Sequence, residues 1–194
     1  MSNFNRIRLL EAYIKGPSEL RETLAQLPVE LLGFKPSPTS WSVKEILMHL
    51  GDSEVQSHVR CRSIIAEPGS TLMNYDEYQW SQSLGYAEQD HSLSLSIVSL
   101  LRKSNYGLLT LLDPSVWAYT CVHSVRGPLS LDDWLETYTR HLQLHIAQMQ
   151  RNHQVWLQSL GVEVPLPSNE ALQESTPRIL TLTPRNGRPK GEAP

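Results

Sequence analysis

Tyr138-Thr-Arg-His141-Leu-Gln-Leu-His145-Ile-Ala-Gln-Met149 sets two histidines four residues apart inside an unbroken helical pattern. The fold follows from how such a segment must be housed. On an α-helix, positions i and i+4 share a face with Cβ atoms about 6 Å apart, so two imidazoles can converge on one ion at about 2.0–2.1 Å. Both histidines sit among bulky apolar neighbours, where a buried imidazole without a partner costs roughly a few kcal/mol and a cation that takes its lone pair removes that cost. Two ligands leave a site incomplete. The third must come from another helix, and His49, in Trp41-Ser-Val-Lys-Glu-Ile-Leu-Met-His49-Leu-Gly-Asp52-Ser-Glu54, is the candidate. Leu142 follows His141 where a zincin motif requires glutamate, so that protease chemistry is excluded.

The helices that would present these residues are legible on either side. Apolar residues from Phe4 to Leu27 recur at threes and fours, interrupted at Gly16-Pro17, where the pattern predicts a kink or a restart. Phe34-Lys-Pro36-Ser-Pro38-Thr-Ser40 is non-helical because each residue before a proline is driven to extended geometry. Ser42 with Glu45 reads as a capping box opening a second helix to about Ala66, and Ser130 with Asp133 caps the last helix, which runs to Gly161. A third helix spans Leu93 to Leu112, its predicted stripe being Leu93, Ile97, Leu100, Leu101, Leu108, Leu111 and Leu112. Between the second and third lies a long aromatic connection with a short helix from Tyr75 to Ser83, the kind of segment that forms a pocket wall. Val116 to Pro128 alternates β-branched and polar residues as a short strand would, but is read as a loop ending in a Gly-Pro turn, since no partner strand is visible. The whole is an all-α, four-helix bundle over 1–161, followed by a Pro-rich tail, 162–194, expected to be partly disordered, in which Arg178 to Thr183 could pack on the bundle.

Composition narrows the function. The formal net charge is -3, with 40% hydrophobic and 19% charged residues, an ordinary globular balance that supplies no electrostatic footprint for nucleic acid. No apolar run is long enough to span a bilayer, and the N-terminal segment lacks a signal peptide's apolar core. Two cysteines, Cys61 and Cys121, form neither a CxxC motif nor a disulfide framework, which points to a reducing, cytoplasmic setting. Glu45, one turn before His49, and Tyr138, one turn before His141, are candidates for proton transfer or for catalytic support, although the cap alone explains a glutamate at position 45. His123 is a candidate fourth ligand or substrate contact. His58 and His153, more than two turns from the proposed centre, are expected to face solvent.

The combination Phe34-x-Pro36-x-Pro38-x-x-Trp41-Ser42-x-x-Glu45-Ile46-x-x-His49-Leu50-x-Asp52-x-Glu54, a long crossover, Gly127-x-Leu129-x-Leu131, and a final His141-x-x-x-His145-x-x-Gln148-Met149 resembles the DinB/YfiT-like superfamily of damage-inducible metalloproteins, over about residues 5–160. The resemblance implies a four-helix bundle in which His49, His141 and His145 hold a divalent metal ion such as zinc, nickel or iron. Characterised members of that superfamily include transferases that join a low-molecular-weight thiol to an electrophilic small molecule and a thiol-dependent isomerase, so the resemblance implies the site more closely than the reaction. Three neutral imidazoles leave the ion's charge uncompensated and a coordination position open, which favours a bound thiolate or hydroxide. The leading expectation is therefore a metal-dependent thiol S-transferase acting on a small-molecule substrate. The alternatives are a metal-dependent hydrolase using activated water and a non-catalytic, metal-stabilised binding bundle; whether two copies pair as a homodimer stays open.

Overall fold

In the computed structural model, which describes residues 1–163, four long helices carry the architecture: α1 (Asn3–Ala25), α2 (Val43–Ala66), α4 (His91–Leu109) and α5 (Leu131–Ser159), with a short α3 (Glu77–Ser83) in the crossover between α2 and α4. Residues 164–194, which hold most of the Pro-rich tail and all of Arg178 to Thr183, lie outside the described residues. Both expected caps form. Ser42 Oγ accepts from Glu45 N at 3.2 Å while Glu45 Oε2 accepts from Ser42 N at 2.9 Å. Ser130 and Asp133 repeat the arrangement at the head of α5, at 3.1 and 2.9 Å. α1 and α2 each pack against α4 and α5. Thus α2 lies beside α5, which is what a site shared by the two requires.

α1 neither restarts nor ends at Pro17; it is one helix of 23 residues with Pro17 inside. Proline cannot donate to the carbonyl four residues earlier, here Tyr13 O. That oxygen accepts instead from the buried Arg102 of α4, Nη1 to O at 3.3 Å. Gly16 makes this approach possible, because a Cβ there would lie 2.5 Å from Leu142 Cδ2 and 2.9 Å from Arg102 Nη1. Gly→Ala inside a helix normally stabilises by about 1 kcal/mol. At Gly16 the sign should reverse to a loss of about 1–3 kcal/mol from overpacking, read by urea unfolding; a stabilised Gly16→Ala would refute this account of the α1–α5 contact.

Arg102 is the centre of a buried polar network that joins all four long helices. Its Nε donates to Glu54 Oε2 of α2 at 2.8 Å and its Nη2 to Tyr138 O of α5 at 2.6 Å. Tyr13 of α1 donates its hydroxyl to Glu54 Oε1 at 2.8 Å and accepts from Asn105 Nδ2 of α4 at 3.0 Å. This network corrects the expected phase of α4. Its buried residues are Ser94, Val98, Arg102, Asn105 and Leu109, whereas Leu93, Ile97 and Leu100 of the predicted stripe are exposed. Phe4 and Ile7, from the apolar pattern at the head of α1, and Val59 of α2 are exposed as well. The apolar core divides into one cluster around Tyr13, Ile64, Trp134 and Leu135 and another around Leu20, Trp41, Ile46, Leu142 and Met149.

The segment expected to be a loop carries two strands. After a 3-10 turn, Pro114–Ala118, β2 (Thr120–His123) pairs antiparallel with β3 (Gly127–Ser130) and in parallel with β1 (Thr71–Leu72) from the crossover. Gly127, at φ 77°, supplies the left-handed residue that returns the chain, so Gly127-Pro128 opens a strand rather than closing a loop. A two-residue partner from a distant crossover has no periodicity to read.

Candidate metal centre

His49 lies in the second turn of α2 with no exposed surface, while His141 and His145 are half-buried on one face of α5. The side-by-side packing of those helices brings the three rings together. His49 Nε2 and His145 Nε2 each lie 3.1 Å from His141 Nε2, and one ligating atom from each residue falls within 4.8 Å of the others. A tetrahedral ion with metal–nitrogen distances of about 2.0–2.1 Å sets its ligand atoms about 3.4 Å apart, within a few tenths of an ångström of the two observed contacts. Burial is the main cause that drives all three imidazoles towards the neutral form: it holds His49 and His141 well below the ordinary histidine range, and His145 falls to about 4. His145 Nδ1–H donates to Gln148 Oε1 at 2.8 Å, which leaves the lone pair on Nε2 facing the cluster. Three neutral nitrogens so presented fit a borderline divalent ion such as zinc, nickel or iron.

Trp41, immediately before the α2 cap, forms a wall. Its ring centroid is 4.8 Å from that of His49 and 6.4 Å from that of His145. On the crossover side stands a residue that sequence reasoning passed over. Glu77, the first residue of α3, places Oε2 4.0 Å from His49 Nε2, with its side chain 37% exposed and its carboxyl pushed up by burial. The short helix was legible, and Asp76 caps it by accepting from Gln79 N. Nothing in the local pattern says which residue of that turn meets α2.

The two sequence candidates for proton transfer occupy different positions. Glu45 is buried, with Oε2 in the capping box and Oε1 accepting from Lys35 Nζ at 2.7 Å, so both oxygens have donors away from the imidazole cluster. Tyr138 is closer. Its ring meets that of His141 edge-on at 6.4 Å, its hydroxyl accepts from Arg60 Nη1 at 2.8 Å, and burial pushes its pKa up. His123 is buried in β2, its Nδ1 accepting from Val125 N and Arg126 N at 3.2 and 3.3 Å, and it does not join the group of three. His58 and His153 are half-buried rather than solvent-facing, and both lie outside the cluster. Cys61 and Cys121 are buried free thiols, the former pushed up to about 12 by burial. No helix among the described residues is long and apolar enough to cross a membrane.

Known proteins resemble this chain over most of its length. A family model described as the DinB superfamily matches residues 12–149. A protein of Oceanobacillus iheyensis is 28% identical over 133 residues, covering 69% of this chain and 77% of its own. YfiT of Bacillus subtilis is 25% identical over 134 residues, covering 69% of this chain and 75% of its own. Both carry the name "Putative metal-dependent hydrolase". The solved structure of YfiT, described as "a probable metal-dependent hydrolase with an unusual four-helix bundle topology", aligns with a TM-score of 0.73 at 21% identity, over 84% of this chain and 91% of that one. At that identity the likeness speaks for the fold.

Proposed function

The chain belongs to the DinB superfamily, and from that premise we propose that it is a divalent-metal enzyme whose reaction is the hydrolysis of an electrophilic small molecule, with His49, His141 and His145 holding the ion and Glu77 managing the proton. The observation that carries this reading is one carboxylate oxygen 4.0 Å from His49 Nε2, beside three converging imidazole nitrogens. When bound, a divalent ion supplies Lewis acidity and lowers the pKa of a water or thiol that reaches it. Glu77 accepts a proton from the attacking water as the water oxygen bonds to the electrophilic centre, and returns that proton to the departing group. Trp41 and Tyr138 flank the reacting space and restrict water there. Glu45 serves α2 as its cap; Tyr138 orients through its bond from Arg60.

Thiol transfer is the second reading, favoured by a ligand set that carries no charge of its own and therefore accommodates a thiolate as readily as hydroxide. The carboxylate of Glu77 ranks water first, because water is a far weaker acid than a thiol and is the nucleophile that needs a base to take its proton. Metal-loaded protein should cleave at least one member of a panel of esters, amides and phosphoesters without any thiol. Turnover that appears only on adding a thiol selects transfer instead, and absence of both leaves a metal-stabilised binding bundle. Glu77→Gln should keep its metal by elemental analysis and lose about 10²- to 10⁴-fold in kcat. Wild-type turnover in that variant would remove Glu77 from the reaction.

A further inference from the structure

Two guanidinium groups, Arg60 and Arg126, lie on elements beside the site, and neither forms an ion pair with a carboxylate among the described residues. Arg60 of α2 donates through Nη1 to Tyr138 Oη at 2.8 Å and through Nη2 to Met73 O at 2.6 Å, both neutral acceptors, and its buried Nε has no hydrogen-bond partner among the described residues. Arg126 sits in the β2–β3 turn. Its backbone N–H is fixed on His123 Nδ1, and the turn is stapled to the crossover by Asn74 N donating to Ser124 Oγ at 3.0 Å, three residues before Glu77. The Arg126 side chain is half-buried and makes no ion pair or side-chain hydrogen bond among the described residues. That staple holds the turn of Arg126 against the crossover leading into α3 and Glu77, and the charges of Arg126 and Arg60 both fall on His123 of β2. Arg102 and Arg6, by contrast, are paired with the carboxylates of Glu54 and Asp132. A half-buried cation left unmatched beside a reaction centre is what binding of an anion completes, and a guanidinium suits the planar, two-oxygen face of a carboxylate or phosphoryl group.

We propose that the substrate of this site is anionic, and that Arg126, with Arg60 beside it, receives a carboxylate or phosphoryl group of that substrate at the mouth of the three-histidine cluster. The proposal rests on the metal-enzyme reading for the word substrate, and on Arg126 and Arg60 alone for the anion.

Isothermal titration of inorganic phosphate and, separately, of succinate into the full chain tests it, using metal-loaded and metal-stripped protein. Wild type should bind at least one of the two in both forms, and which one binds identifies the group. Arg126→Gln should weaken that binding by at least about tenfold in both forms, with metal content unchanged, and Arg126→Lys should fall between. Anion binding that depends on the metal and ignores Arg126 overturns the proposal, as does a wild type that binds neither anion at millimolar concentration. Arg126-dependent binding to a chain that takes up no metal supports the anion site while refuting the metal reading, so the two can fail separately.

Discussion

His145→Ala is expected to bind its divalent ion at least about 100-fold more weakly than wild type and to lose all metal-dependent turnover, while the metal-free variant melts close to metal-free wild type. The size follows from comparison with supporting residues: losing a group that merely orients a ligand costs about 10- to 100-fold in affinity, and here a ligand itself is removed from a set of three. The selectivity follows from burial. His145 is half-buried and both its ring nitrogens contact its own helix, at Gln148 and His141, so truncation leaves little cavity. His49 is fully buried between α2 and its neighbours, and His49→Ala should therefore lose stability even without metal. Chelator-competition titration with elemental analysis measures the affinity, and calorimetry of metal-stripped protein measures the rest. A His145→Ala variant that keeps one tightly held ion per chain would show that the three imidazoles are not its ligands.

The contrast between these two histidines shows how far the sequence could be read. The pairing of His141 with His145 follows from helical geometry alone, and His49 follows from needing a third donor in a helix whose cap was plain in Ser42 and Glu45. What the chain did not disclose is what lies across an interface. α4 was phased on its leucines because a stripe of apolar residues ordinarily faces inward, yet the interior position is taken by Arg102, and Leu93 and Leu100 face outward. That inversion becomes intelligible only with Glu54, Tyr13 and Asn105 in view, three residues from three helices. Glu77 escaped for the same reason: it enters the centre through the docking of a short crossover helix on α2. Local signals find elements and same-face pairs, while a partner fifty residues away leaves no period in the chain, and the β1–β2 pairing was missed on that account.

Arg102→Met should be the most destabilising single change in the bundle, by about 3–5 kcal/mol, because it leaves the Glu54 carboxylate buried without its cation. At about 2–4 °C per kcal/mol for a chain of this size, the melting temperature should fall by roughly 6–20 °C. Methionine keeps most of the side-chain volume, so the loss is electrostatic rather than steric. Three acceptors lose a donor together: Glu54 Oε2, Tyr138 O, and the Tyr13 carbonyl that Pro17 cannot serve. If the missing charge partner is the cause, Glu54→Gln combined with Arg102→Met should recover part of the loss, since a neutral amide costs less to bury than a carboxylate. The double variant would otherwise be the sum of two damaging changes. The consequence reaches the metal centre as well, because Tyr138 O lies on the turn of α5 that leads into His141, and Arg102 sets that turn against α4. Metal affinity of Arg102→Met, measured well below its melting temperature, should therefore drop with the single change and return with the double one. A melting temperature within a degree or two of wild type would mean that water or a neighbouring side chain replaces the guanidinium, and that the four helices are held in register by their apolar contacts alone.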